Sequence, residues 1–174
     1  MIRRRPSSSP KAWSAASDVY KSLVYDRGGG TGLIGMWKAF KELKSMGIVK
    51  GSLPRMVAAQ SSGCAPVVRG FQNLSSSTDF WKDSNTIALG LNVPGPIGGH
   101  WILDILYQSN GLALDIPEKK LLTLTRDFNQ ITSMNSGAEG GVVWGAYRIL
   151  KDIGWILPKE SVVLFATGIE RCKL

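Results

Sequence analysis

The chain has 174 residues, 44% of them hydrophobic, which gives room for one ordinary domain but not two, and no apolar run is long enough to span a bilayer. Two cysteines, Cys64 and Cys172, and one histidine, His100, exclude a disulfide framework and most metal or His-dependent catalysts, and they fit a reduced, cytoplasmic setting. The net charge is +8, but the first fifty residues hold ten Lys or Arg against three acids, so the body is near neutral and no nucleic-acid partner is expected.

Residues 1–20 read as a disordered basic tail. Arg3, Arg4 and Arg5 precede five serines and two prolines, with no acid before Asp18, a composition that buries no core. It is loosely similar to a transit peptide, although a leader without an address is the plainer reading. Residues 22–25 form a short apolar strand that runs into glycines. Leu33, Trp37, Phe40 and Leu43 then recur at helical spacing, with Gly47 as the stop. A second strand is expected at 56–59 and a short helix at 65–71, with Pro66 in its first turn. Loops follow around the serines at 75–77 and at 93–96. Next come a helix over 97–108, a strand at 112–114, and a helix over 117–131 capped by Asp115 and Glu118. Gly140 and Gly141 open a helix to Ile153, and 161–166 is a last buried strand. The alternation predicts an α/β domain over 21–174, a mainly parallel open sheet with flanking helices.

The sharpest motif is Arg27-Gly28-Gly29-Gly30-Thr31-Gly32-Leu33, between a strand and an amphipathic helix. Its glycines let the backbone approach an anion, and the first N–H groups of the helix point at it. Gly30-x-Gly32-x-x-Gly35 matches the dinucleotide fingerprint in letters. The next strand, however, ends in Gln60-Ser61-Ser62, with no acid for a ribose. No Gly-Lys-Ser/Thr follows, so the loop is not of the Walker kind. A lone phosphate on a coenzyme or substrate fits better.

Thr167, after the last strand, lies at the same sheet end as the glycine loop, where open parallel sheets bind ligands. Its hydroxyl either meets a ligand or satisfies backbone at a turn. Cys64, at a helix start, reads as a packing or capping residue before a reactive thiolate. His100 has no partner at metal-ligand spacing. Glu139, at another helix start, is explained by the helix dipole. The six tryptophans look like core and rim residues.

Residues 28–40 resemble the phosphate-loop segment of the threonine synthases, which belong to the tryptophan-synthase-β-like family of pyridoxal-phosphate (PLP) enzymes. The likeness continues in order through 60–69, 86–91, Val93-Pro94-x-Pro96-Ile97-Gly98, Glu139-Gly140 and Thr167-Gly168. The resemblance implies PLP as cofactor and a PLP fold type II architecture. In it, Gly28, Gly29, Gly30, Thr31 and Gly32 cradle the cofactor phosphate, and Thr167 meets the pyridine nitrogen as a neutral hydroxyl. It implies conversion of O-phosphohomoserine and water to threonine and phosphate.

Trp37-Lys38-Ala39-Phe40 and Cys64-Ala65-Pro66 favour threonine synthase over the threonine dehydratases, while cysteate synthase is built on a similar sequence. A non-catalytic module that holds a phosphate ligand or another subunit is the reading from a different class. The family's Schiff-base lysine, in a Ser-x-Lys-Asp-Arg motif upstream of the glycine loop, has no counterpart, and Lys-Asp-Arg occurs nowhere in the chain. Asp26-Arg27 replace Pro-Thr, Ala138 replaces Pro, and Glu170 replaces Gly. The expectation is therefore a C-terminal portion or gene fragment with no catalytic residue of its own. It would be inactive alone, and its expected partners are PLP or a phosphorylated small molecule, a second copy, or a complementing N-terminal half.

Overall fold

Strands buried on both faces need apolar side chains at odd and even positions alike, and four segments supply them. They form β1 (Tyr20–Asp26), β2 (Arg55–Ser61), β3 (Leu112–Ile116) and β4 (Ser161–Phe165). The computed structural model describes residues 20–26 and 29–169. The expected tail lies outside them except for Tyr20, as do Arg27, Gly28, Glu170 and Cys172. Five helices accompany the strands: α1 (Thr31–Ser45), α2 (Pro66–Gln72), α3 (Gly99–Gln108), α4 (Glu118–Thr132) and α5 (Ala138–Asp152).

Alternation along each strand divides the core into two layers. Leu23, Met56 and Ala58 pack with Leu33 and Trp37 of α1 and with Ile102, Leu103 and Leu106 of α3. Their strand neighbours Val24, Val57 and Ala59 turn to the opposite face. There they meet Leu121 and Leu124 of α4 and Val142, Val143, Ala146 and Leu150 of α5. The four strands pair in parallel, in the order β3-β2-β1-β4, so the expected α/β class and parallel sheet are what the chain forms. No described helix is long and apolar enough to cross a membrane.

The strand order positions the site. From β1 the chain steps outward through α1, α2 and α3 to β3. It then returns over the other face through α4 and α5 to lay β4 on the free side of β1. The order reverses between β1 and β4, and a crevice opens outside their carboxyl ends at such a reversal.

Two helix starts differ from expectation. The helix placed at 97 begins at Gly99: the Pro96 carbonyl accepts the Gly99 N–H at 3.0 Å, and Ile97 stands 94% exposed before it. Asp115 does not cap α4. Its backbone is paired opposite Gln60 in β3, a strand that ends before the helix begins. The Glu118 N–H goes instead to Ser62 Oγ at 3.1 Å. A sequence spacing that suits a cap is useless to a residue already committed to a strand.

Gly35 is exposed in the middle of α1, with open space where a Cβ would stand. The third glycine of a dinucleotide fingerprint serves close helix–strand packing, and Gly35 serves none. Gly35→Ala is expected to stabilise the fold by roughly 0.5–1 kcal/mol through helix propensity, read as a higher thermal midpoint. A lower midpoint would mean that Gly35 contacts something essential.

Candidate functional site

β1 delivers the glycine loop to the carboxyl end of the sheet. Gly28 lies outside the described residues, and Gly29 is exposed with open space around it. Gly30 occupies the left-handed region at φ 82° and is the N-terminal boundary residue of α1, with no side-chain cap bond. A methyl group built on Gly32 would overlap the Tyr25 hydroxyl, so any side chain there would have to displace the Tyr25 ring. Thr31 is exposed. The first-turn N–H groups of a helix have no acceptor within it, and the first turn of α1 contains no acid. Among the described residues of that first turn, no acid offsets the positive helix end.

Thr167 emerges beside it from β4 and is tied to β1. Its N–H donates to Asp26 Oδ2 at 3.0 Å, and its hydroxyl lies 2.9 Å from both carboxylate oxygens. The hydroxyl is thus not satisfying turn backbone, and its partner is an acid at the end of the neighbouring strand. Asp26 is 1% exposed. Burial pushes its carboxyl up to about 6 against the pull of Thr167's hydrogen bonds, and the charge of Glu139 adds to the rise. An acid raised by burial is more comfortable protonated. Asp26 therefore costs the fold stability as pH rises from its ordinary 3.8 to about 6.

Glu139 closes the other side. It sits buried in the first turn of α5, where its Oε1 accepts the Gly90 N–H at 2.8 Å. Its carboxylate fills the space that side chains at Gly137 and Gly168 would need. Helix-dipole complementarity alone understates this residue, because it joins α5, the 3-10 turn at Leu89–Leu91 and the end of β4. Leu89, Gly90, Gly137, Glu139, Thr167 and Gly168 help line a crevice of about 600 Å³. No lysine lines it among the described residues.

The loop after β2 is occupied with structure. Gln60 Oε1 accepts the N–H groups of Val67 and Val68 at 2.9 and 3.1 Å, capping α2 from the strand. Ser61 pairs with Glu118. Cys64 is fully buried, and burial pushes its thiol up, so it packs and does not react. His100 is exposed and lies against Trp101, with ring centroids 4.5 Å apart. No group of His, Cys, Asp and Glu among the described residues could hold a metal ion.

Sequence reasoning undervalued Asp26 and Glu139. The only local signal for Asp26 was an acid directly before a glycine loop. Glu139 was visible as an acid at a helix start, but its links to Gly90 and Gly168 were not, since both are remote in sequence.

An open parallel sheet with a glycine-rich helix start and a hydroxyl at its switch point is an α/β architecture of the kind that binds ligands beyond its strand ends. More specifically, the chain belongs to the pyridoxal-phosphate-dependent enzyme family, whose family model matches residues 10–168. It is 24% identical to the threonine synthase of Methanosarcina acetivorans over 146 residues, which is 84% of this chain and 36% of that protein. Among solved structures it superposes on a fungal L-serine ammonia-lyase from Rhizomucor miehei with a TM-score of 0.71 and 17% identity, covering 92% of this chain and 50% of the other. For threonine synthase from Escherichia coli the TM-score is 0.55 at 18% identity, covering 87% and 33%. The fold is that of the fold type II PLP enzymes. The chain spans about a third of the length of the curated relatives it matches.

PLP is the family's cofactor, and the residues present suit its two polar ends. The acid-free helix start at Gly30–Gly32 offers N–H donors that suit a phosphate, and the Thr167 hydroxyl stands after β4 with Asp26 as its partner.

Proposed function

We propose that this chain is the phosphate-holding part of a threonine-synthase-like PLP enzyme, acting on O-phosphohomoserine and water to give threonine and phosphate. The observation that carries the reading is the bare glycine-rich start of α1 at the β1/β4 switch point. Curated relatives named threonine synthase point to the reaction. In this reading the backbone N–H groups of Gly28, Gly29, Gly30, Thr31 and Gly32 hold the cofactor phosphate, and Thr167 faces the pyridine nitrogen. PLP, when bound, supplies the electron sink that makes a carbon acid of its substrate.

The chain's own groups bind and orient. None of the described residues lining the crevice can form the Schiff base or carry the substrate proton as a lysine would. The purified chain, supplied with PLP and O-phosphohomoserine, is therefore expected to release no phosphate above a protein-free control. Phosphate release that needs the chain and fails with Gly32→Asp would overturn the claim of inactivity. A serine or threonine ammonia-lyase reaction is the second reading, favoured by the higher TM-score to the ammonia-lyase fold. Adding an N-terminal half from either kind of enzyme, and assaying both substrates, separates the two.

A further inference from the structure

We propose that the groove between α1 and α3 is a binding site for an apolar α-amino acid held as its zwitterion. The groove has a volume of about 460 Å³ and shares no lining residue with the crevice. It lies on the other face of the sheet, where α1 and α3 pack. The inference stands apart from the reading of the glycine loop and Thr167.

Helical spacing builds the two walls. Ile34, Trp37 and Lys41 follow at i, i+3 and i+7 on α1, and Trp101, Asp104, Ile105 and Gln108 follow at i, i+3, i+4 and i+7 on α3. α1 leaves the end of β1 and α3 leads into the start of β3, so the two helices run the same way. Gly98 sits against both the Ile34 and Trp101 side chains. One end of the groove is therefore apolar, and the other, at Lys41 and Gln108, is polar.

Four charged side chains line the groove, two of each sign. Lys38 and Glu42 answer each other along α1, with N···O 3.8 Å. Lys41 and Asp104 remain on opposite walls. Asp104 holds the Gln108 amide at 2.6 Å, and neither charge has an ionic partner among the described residues. A separated cation and anion beside an apolar surface match a ligand that carries both charges on one carbon. Its carboxylate goes to Lys41 and its ammonium to Asp104.

Trp37 adds a second donor for that carboxylate. It is 8% exposed, and its indole N–H has no acceptor, which costs free energy in a buried group. It stands one turn from Lys41 on the same stripe of α1. Reaching the N–H requires a side chain of the wall to swing aside, and Lys38 and Lys41 are long and exposed. The ligand's apolar side chain then lies along Ile34, Ile105 and Trp101, which is 55% exposed.

The test is titration of the full chain with phenylalanine, followed through the indole N–H signals by nitrogen–proton NMR. Trp37→Phe and Trp101→Phe assign the two signals. The expected result is a saturable shift of both, with Trp37 moving in the direction of a new hydrogen bond. Two truncated ligands separate the charges: 3-phenylpropionate lacks the ammonium and phenethylamine lacks the carboxylate. Each should bind roughly tenfold more weakly, as expected for loss of one charge-assisted bond. Serine, with both charges and no apolar side chain, should also bind roughly tenfold more weakly.

Asp104→Asn should weaken phenylalanine and leave 3-phenylpropionate unchanged. Lys41→Gln should weaken phenylalanine and leave phenethylamine unchanged. Both side chains are exposed, so the fold tolerates either change. Equal affinity for phenylalanine and the two truncated ligands would reduce the groove to an apolar surface and overturn the proposal. Discrimination that survives both substitutions places the charges elsewhere and overturns it too. So does an absence of any shift at Trp37 and Trp101 by about 50 mM phenylalanine.

Discussion

Arg55→Ala is expected to destabilise the chain by about 2 kcal/mol, between what an exposed pair contributes and what removing one partner of a fully buried pair costs, because Arg55 is partly exposed and Glu160 is not. Arg55 begins β2, at the sheet end opposite the crevice. Its Nη2 donates to Glu160 Oε1 at 2.6 Å and to Ser22 Oγ at 2.9 Å, and its Nη1 donates to the Trp155 carbonyl at 3.0 Å. The guanidinium also lies 3.6 Å over the Trp155 ring. One side chain thus clamps β1, β2 and the turn that leads into β4.

The Glu160 side chain is 7% exposed. Its burial alone would push the carboxyl up, yet the Leu157 N–H and the Arg55 guanidinium hold it below the usual range. Truncating Arg55 leaves that charge buried with one main-chain donor and Ser22. Loss of the stacked contact adds to the cost.

The sign of the pH dependence gives an independent check. A carboxyl held low in the fold contributes stability above its ordinary value and loses it as pH falls through the folded value. The gap between the unmodified chain and Arg55→Ala, measured by urea unfolding, should therefore be widest near neutrality and narrow in acid. Arg55→Lys should recover only part, because an ammonium has no planar fork for Glu160 and Ser22 together. A loss under about 1 kcal/mol, unchanged with pH, would mean that water screens the pair as it does at a surface.

Period and punctuation carried most of the fold. The strand at 56–59 and the helix through Leu33, Trp37 and Phe40 were legible because each buries side chains in a rhythm that only one backbone geometry satisfies. The parallel sheet followed from the alternation of such segments. The glycine loop was legible because four glycines in five positions have few structural explanations. What local pattern could not supply were bonds between residues far apart in the chain. Thr167 and Asp26 are 141 residues apart, and Arg55 and Glu160 are 105 apart. Reading Thr167 by itself left a ligand or a backbone group as its partner, and the structure adds a buried acid. The Asp115 cap failed for the converse reason: a good local spacing was overruled by strand pairing.

Gly63→Ala is expected to destabilise by roughly 3 kcal/mol, the upper end for an overpacked site, in contrast to the gain at Gly35. Gly63 follows β2 in a turn whose N–H donates to Ser61 Oγ at 3.1 Å and whose carbonyl accepts the Asn85 N–H, also at 3.1 Å. A methyl on Gly63 would overlap the Asn85 carbonyl and approach Glu118 Oε1 to 2.9 Å. No rotamer change removes a main-chain oxygen, so the 84–88 segment must move.

That segment leads directly into the 3-10 turn at Leu89–Leu91. Thr86 and Ala88 are buried, and Ile87 donates to Glu118 Oε2 at 3.3 Å. Two residues beyond Ala88, Gly90 gives its N–H to Glu139. The displacement should therefore reach the crevice: amide exchange at Ala88 and Gly90 should accelerate along with the fall in thermal midpoint, while amides of β1 and β4 change less. If the midpoint falls but Gly90 exchange does not, the strain is absorbed before residue 88, and Glu139 is held by α5 alone. If neither moves, residues 84–86 yield freely, and the contact between the β2 turn and this loop does not hold the crevice wall in place.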